Sequence, residues 1–118
     1  MQGSTRARTA ARPARRMNAV VWIGRQRALV LRDDESGGYD ESEVAIPETP
    51  ASTPPALAEI AHRIGPVDRV LVMGPADLRT ALEREIVAIG HAPETIREAA
   101  VEGPADRDVL LAQLRRMA

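Results

Sequence analysis

Cysteine, lysine and phenylalanine are all missing from this 118-residue chain, and tryptophan and tyrosine occur once each. Without cysteine there is no disulfide, no thiolate nucleophile and no cysteine-ligated zinc or iron–sulfur centre. With so few aromatics the core must be filled by Ala, Val, Leu and Ile, and a chain of this length supplies one such core. Arginine is left as the only permanently charged base, a usage that, with the abundance of Ala, suggests a GC-rich coding sequence more than a chemical demand. No apolar run approaches the roughly 18 residues of a membrane span. A soluble, cytoplasmic protein without membrane contact is expected.

Acidic residues are absent from positions 1–16, where Arg6, Arg8, Arg12, Arg15 and Arg16 place five positive charges. The rest of the chain carries 11 arginines against 17 acids, a net charge of −6, which disfavours it as a broad nucleic-acid footprint. Residues 1–16 are therefore read as a disordered basic tail, and residues 17–118 as a single domain. Any affinity for RNA or DNA would reside in the tail.

Ala19-Val20-Val21-Trp22-Ile23 is an unbroken apolar run, as in a strand covered on both faces. Gly24 to Arg27 turns the chain, and Ala28-Leu29-Val30-Leu31 completes a buried hairpin. Residues 32–42 read as an acidic exposed loop around Gly37-Gly38. Ser42, Val44 and Ile46 alternate with Glu43 and Ala45 before Pro47, the pattern of an edge strand with one wet face. A proline-rich connector (47–55) leads to a helix with Thr53 as its cap and with Leu57, Ile60, Ala61 and Ile64 on one side, stopped by Gly65-Pro66.

Val70-Leu71-Val72-Met73 is a second dry strand. Gly74-Pro75 follows it, and a helix from Ala76 sets Leu78, Ala81, Leu82, Ile86 and Ile89 on one face up to Gly90. Thr95 to Glu98 reads as a peripheral strand, and Gly103-Pro104 as the opening of a last helix with Asp106 and Asp108 in its first turn and Arg115 and Arg116 at its end. The order is β-β-β-α-β-α-β-α. Strands without a polar face need helices on both sides, so the expected fold class is α/β, a three-layer α/β/α sandwich on a mixed sheet.

The strand-turn-helix at Gly74-Pro75 is where an α/β domain meets its ligands, since helix amides point outward there. The glycine spacing of a phosphate loop or a dinucleotide fingerprint is absent, and Asp77 can itself satisfy those amides. The plain reading is structural: Gly74 leaves the strand and Pro75 presets the helix. A small-ligand or phosphate-binding site, enzymatic or not, is the alternative. His62 and His91 sit in separate elements without a ligand-spaced partner, so no metal and no cofactor are expected, and no carboxylate pair or Ser–His arrangement marks a catalytic centre. Trp22 reads as core filling. Arg25, Arg27 and Arg79 are the recognition candidates, against the alternative of an ordinary solvated face.

The run Val20 to Val30, with Trp22 and the basic turn Gly24-Arg25-Gln26-Arg27, followed downstream by Val70-Leu71-Val72-Met73-Gly74-Pro75-Ala76-Asp77-Leu78-Arg79, resembles a family of small bacterial proteins. They are similar to the third domain of archaeal and eukaryotic peptide-release factors and of Pelota. Across residues 18–118 the resemblance implies a noncatalytic binding module that contacts the ribosome or a translation factor, with Arg25, Arg27, Gly74, Pro75, Asp77 and Arg79 as its partner-binding residues. Arg79 stands where that family has lysine, and Glu98 and Glu102 compete for its acidic position. The hydrolytic Gly-Gly-Gln loop of release factors is missing, because Gly37-Gly38 is followed by Tyr39.

Overall fold

In the computed structural model, residues 16–47, 49, 53–100 and 105–118 are described. The elements are β1 (Asn18–Ile23), β2 (Arg27–Asp33), β3 (Tyr39–Ala45), α1 (Thr53–Ile64), β4 (Arg69–Met73), α2 (Ala76–Ala88), β5 (Ile96–Ala99) and α3 (Arg107–Met117), with a short 3₁₀ turn at Pro93–Thr95. The expected order is observed. The five strands form one sheet in the order β3-β2-β1-β4-β5. The β1–β2–β3 meander is antiparallel, whereas β4 joins β1 and β5 joins β4 in parallel, so the sheet is mixed.

Strand β1 lies at the centre because every one of its residues is buried. Ala19, Val21 and Ile23 point to one face, where with Val30, Val44, Val70 and Val72 they pack against Leu57, Ile60 and Ile64 of α1 and Leu82 and Ile86 of α2. Val20 and Trp22 point to the other, joining Leu29, Leu31 and Met73 beneath Leu110 and Leu114 of α3. Helices thus cover both faces, as a strand without a polar side requires. Trp22 is a core residue, 7% exposed.

The entry to β1 is tied down by polar groups. Met17 N donates to Asp68 Oδ2 at 2.7 Å while Asp68 N donates to the Met17 carbonyl at 2.6 Å. Asn18, fully buried, donates its backbone N–H to Asp33 Oδ2 at 2.9 Å and accepts from Arg69 Nε at 3.1 Å through Oδ1. The other arm of Arg69 donates to the Met117 carbonyl, linking the sheet to the end of α3.

Four expectations need correction. The acidic loop is shorter than 32–42, because Arg32 and Asp33 extend β2 and Tyr39 to Glu41 belong to β3. Cross-strand pairing with Arg32↔Asp40 and Asp33↔Tyr39 overrides their polar character. Only residues 34–38 turn, held by Asp34 Oδ1, which accepts from Ser36 N, Ser36 Oγ and Gly38 N at 2.9, 2.6 and 2.9 Å. Ile89 does not continue the apolar face of α2: the helix ends at Ala88, and Ile89 is 52% exposed. Thr53 is the first helical residue of α1, not an accepting cap, and its hydroxyl donates to the Thr49 carbonyl. The last helix begins at Arg107 with Asp106 as its cap, accepting from Val109 N at 3.1 Å. Gly103-Pro104 lies outside the described residues, as does part of the proline-rich connector.

Candidate functional site

Parallel pairing brings the carboxyl ends of β1 and β4 side by side, with Trp22 opposite Met73. The next residue of β4's path, Gly74, has φ +134°, and a Cβ there would stand 2.2 Å from the Ile23 carbonyl oxygen. Only glycine accepts both the backbone angle and the close approach. Pro75, in extended conformation, then caps α2, and its carbonyl accepts from Arg79 N at 2.9 Å. The β1–β2 turn and the first turn of α2 therefore share one corner.

Arg25 and Asp77 join these two turns as a fork: Nη1 to Oδ2 at 3.2 Å and Nη2 to Oδ1 at 3.4 Å. The Arg25 hydrogen bonds hold the Asp77 carboxyl below the usual carboxylate range, and the amides of Leu78 and Asp77 add smaller pushes in the same direction. Both side chains are about two-thirds exposed, so the pair is a surface feature that orients two turns and adds little to stability.

Arg79 is more deeply set, its side chain 15% exposed. Nη1 donates to the Gly74 carbonyl at 3.2 Å, and Nε lies 3.2 Å from Glu98 Oε1 of β5, an ionic contact without hydrogen-bond alignment. Glu83, one turn further along α2, faces the same group. Its Oε2 is buried without a hydrogen-bond partner, and burial first, then the Glu98 carboxylate, pushes its carboxyl above the usual range while Arg79 opposes the shift. Arg27 lies on the other face of the sheet, its guanidinium 5.5 Å from the Trp22 ring centre and 3.7 Å from Glu43.

Of the six candidates, Arg25, Gly74, Pro75, Asp77 and Arg79 form one corner, and Arg27 stands beside it on the α3 side. In fold, the chain is similar to Pelota. The crystal structure of Archaeoglobus fulgidus Pelota superposes with a TM-score of 0.63 at 13% identity over 96% of this chain, and an archaeal translation termination factor with 0.53 at 10% identity over 85%. The chain spans about a third of either neighbour, 35% of Pelota and 34% of the termination factor. No protein-family model and no curated protein sequence matches it. At such low identity the likeness to Pelota is one of fold.

Sequence reasoning missed Glu83. On the helix it reads as an ordinary i,i+4 partner of Arg79, and only the return of β5 places Glu98 over it. The tail arginines Arg6, Arg8, Arg12 and Arg15 lie outside the described residues. Arg16 lines a cavity of about 450 Å³ with Asp33, Tyr39, Leu111, Leu114 and Arg115, at the end of the sheet opposite the corner. Among the described residues no three His, Asp or Glu side chains gather as a metal site, and no helix is long and apolar enough to cross a membrane.

The Glu83 environment gives a signed pH dependence. A carboxyl whose folded pKa is raised binds more protons folded than unfolded, so stability falls as pH rises from its ordinary value of 4.5 through the raised one. Glu83→Gln is expected to raise Tm at pH 7, and the gain should shrink towards zero at pH 4. Thermal melts of both proteins at the two pH values test this; an equal difference at both would remove Glu83 as the source.

Proposed function

We propose that this chain is a noncatalytic docking module of the translation machinery, acting in the cytoplasm as the third domain of release factors and Pelota acts within its larger protein. The observation that supports this reading best is the fold shared with Pelota and an archaeal termination factor, found at identities too low to reflect anything but architecture. The small bacterial relatives resembled in sequence are its proposed kin. Residues 17–118 are the proposed domain, and residues 1–16 an accessory basic arm.

The corner suits docking. Its backbone is locked by Gly74, its two turns are fastened by the Arg25–Asp77 fork, and Arg79 is braced between the Gly74 carbonyl and Glu98. A partner would meet a preformed surface and need order no loop there, which favours affinity. Arg25, Arg27, Gly74, Pro75, Asp77 and Arg79 are the proposed contacts, and the proposed partner is a ribosome or a translation factor.

Co-sedimentation with purified ribosomes, and capture of purified translation factors at moderate salt, test the proposal. Binding is expected for the full chain and is expected to be lost in Asp77→Arg, whose exposed side chain leaves the core untouched. Replacing Arg6, Arg8, Arg12, Arg15 and Arg16 by Gln should reduce only the salt-sensitive part of binding, which is the part an arm on RNA would contribute. Absence of binding to ribosomes and factors alike, or binding indifferent to Asp77→Arg, would overturn the proposed role of the corner.

A further inference from the structure

The two histidines, far apart in sequence, meet in one cleft that the docking corner does not use. It has a volume of about 830 Å³ and lies on the α1–α2 face, between the ends of these helices and the β2–β3 hairpin. His62 and Arg63 come from the last turn of α1, His91 follows α2, and Arg32 rises from β2. That size is within the range of small-molecule sites.

Three of the four basic side chains are braced by a polar neighbour. His91 Nε2 is 2.9 Å from the Gly65 carbonyl; since a carbonyl only accepts, Nε2 carries the proton and the ring is fixed in that orientation. The Arg32 guanidinium lies over Gly65, where a Cβ would stand 2.6 Å from Nη1, and Gly65 has φ +67°. Arg32 Nε is 3.6 Å from Asp40, and Arg63 Nε is 2.6 Å from Glu59, both pairs partly exposed. Within the cleft itself two guanidiniums and two imidazoles face a single carboxylate, Asp40, with the Ser42 hydroxyl beside it. The exposed side chain of Ile89 and the ring of Pro66 form an apolar wall.

We propose that this cleft binds a small phosphomonoester, with its phosphate on Arg32, Arg63 and His62 and its organic part against Ile89, Pro66 and the His91 ring. Arg32, Arg63 and His62, three donor-bearing side chains from two separate elements, suit a tetrahedral dianion better than a planar carboxylate, and guanidiniums are the stronger phosphate partners in such a set. The ligand would displace Asp40 from Arg32, an exchange that a 3.6 Å, half-exposed pair permits. It would also cover an isoleucine that α2 leaves in water.

Amide and side-chain NMR spectra of the full chain, titrated with inorganic phosphate, glycerol phosphate and a 5′-mononucleotide at constant ionic strength, test the proposal. The expected result is saturable shifts confined to Arg32, residues 62–66 and 89–91, with both phosphomonoesters binding more tightly than inorganic phosphate. Arg63→Gln and His62→Gln, on an exposed helix turn, should each weaken binding about tenfold, while Arg84→Gln, an exposed arginine elsewhere on α2, should not. The cleft is refuted by absence of saturation at millimolar ligand, by shifts centred on Gly74–Asp77 or on Arg16 and Arg115, or by equal weakening in Arg84→Gln. Inorganic phosphate binding as tightly as the esters would refute the apolar part. The readout is independent of ribosome or factor binding, so failure here leaves the docking module standing.

Discussion

Gly74→Ala is expected to destabilise the domain by on the order of 4 kcal/mol, combining strain at a positive φ with overpacking against backbone. The added methyl would lie 2.2 Å from the Ile23 carbonyl, which is part of the central strand and has no room to retreat. Relief requires β4 to slide or α2 to lift, and either move breaks the corner at which Arg25 meets Asp77. Since a domain of this kind is stable by about 5–15 kcal/mol, the urea midpoint should fall by roughly 2 M at a typical slope of about 2 kcal/mol per M. A shift below about 0.5 M would mean that the two strand ends do not approach as described.

Leu110→Ala is expected to cost about 2–5 kcal/mol, the range for deleting a fully buried leucine. Leu110 and Leu114 are the buried residues of α3, with Leu111 and Met117 half-buried beside them, so truncating one removes much of what keeps the third layer on the sheet. Trp22, the single tryptophan, belongs to the cluster beneath that helix and reports on it. Its emission should move to longer wavelength at urea concentrations where the parent is still native. Leu82→Ala, on the opposite face, should cost a similar amount and leave the native-state Trp22 spectrum unchanged. A Leu110→Ala loss under about 0.5 kcal/mol, as for an ordinary surface change, would show α3 to be peripheral.

The layered architecture was legible because its signals are local and strong. The short apolar runs at 19–23 and 70–73, flanked by turn residues, read as strands covered on both sides, and Gly65-Pro66 and Gly74-Pro75 punctuate the chain where the structure turns. The polar extension of the hairpin was not legible: Arg32, Asp33 and Asp40 look like loop residues until cross-strand pairing and the Asp34 turn place them. The end of α2 was misread at Ile89 because helical periodicity does not reveal where burial stops. Non-local meetings left no trace in the sequence. Glu83 with Glu98 depends on β5 folding back, and His62 with His91 depends on two helices ending at the same side of the sheet.

The arrangement of the two dry strands underlies the corner, the sandwich and the likeness to Pelota alike. Interstrand nuclear Overhauser contacts between Ala19–Ile23 and Val70–Met73 test it most directly. The parallel register Ala19↔Val70 through Trp22↔Met73 predicts a regular ladder of such contacts along the whole length. Antiparallel contacts, or none between these two segments, would contradict the account.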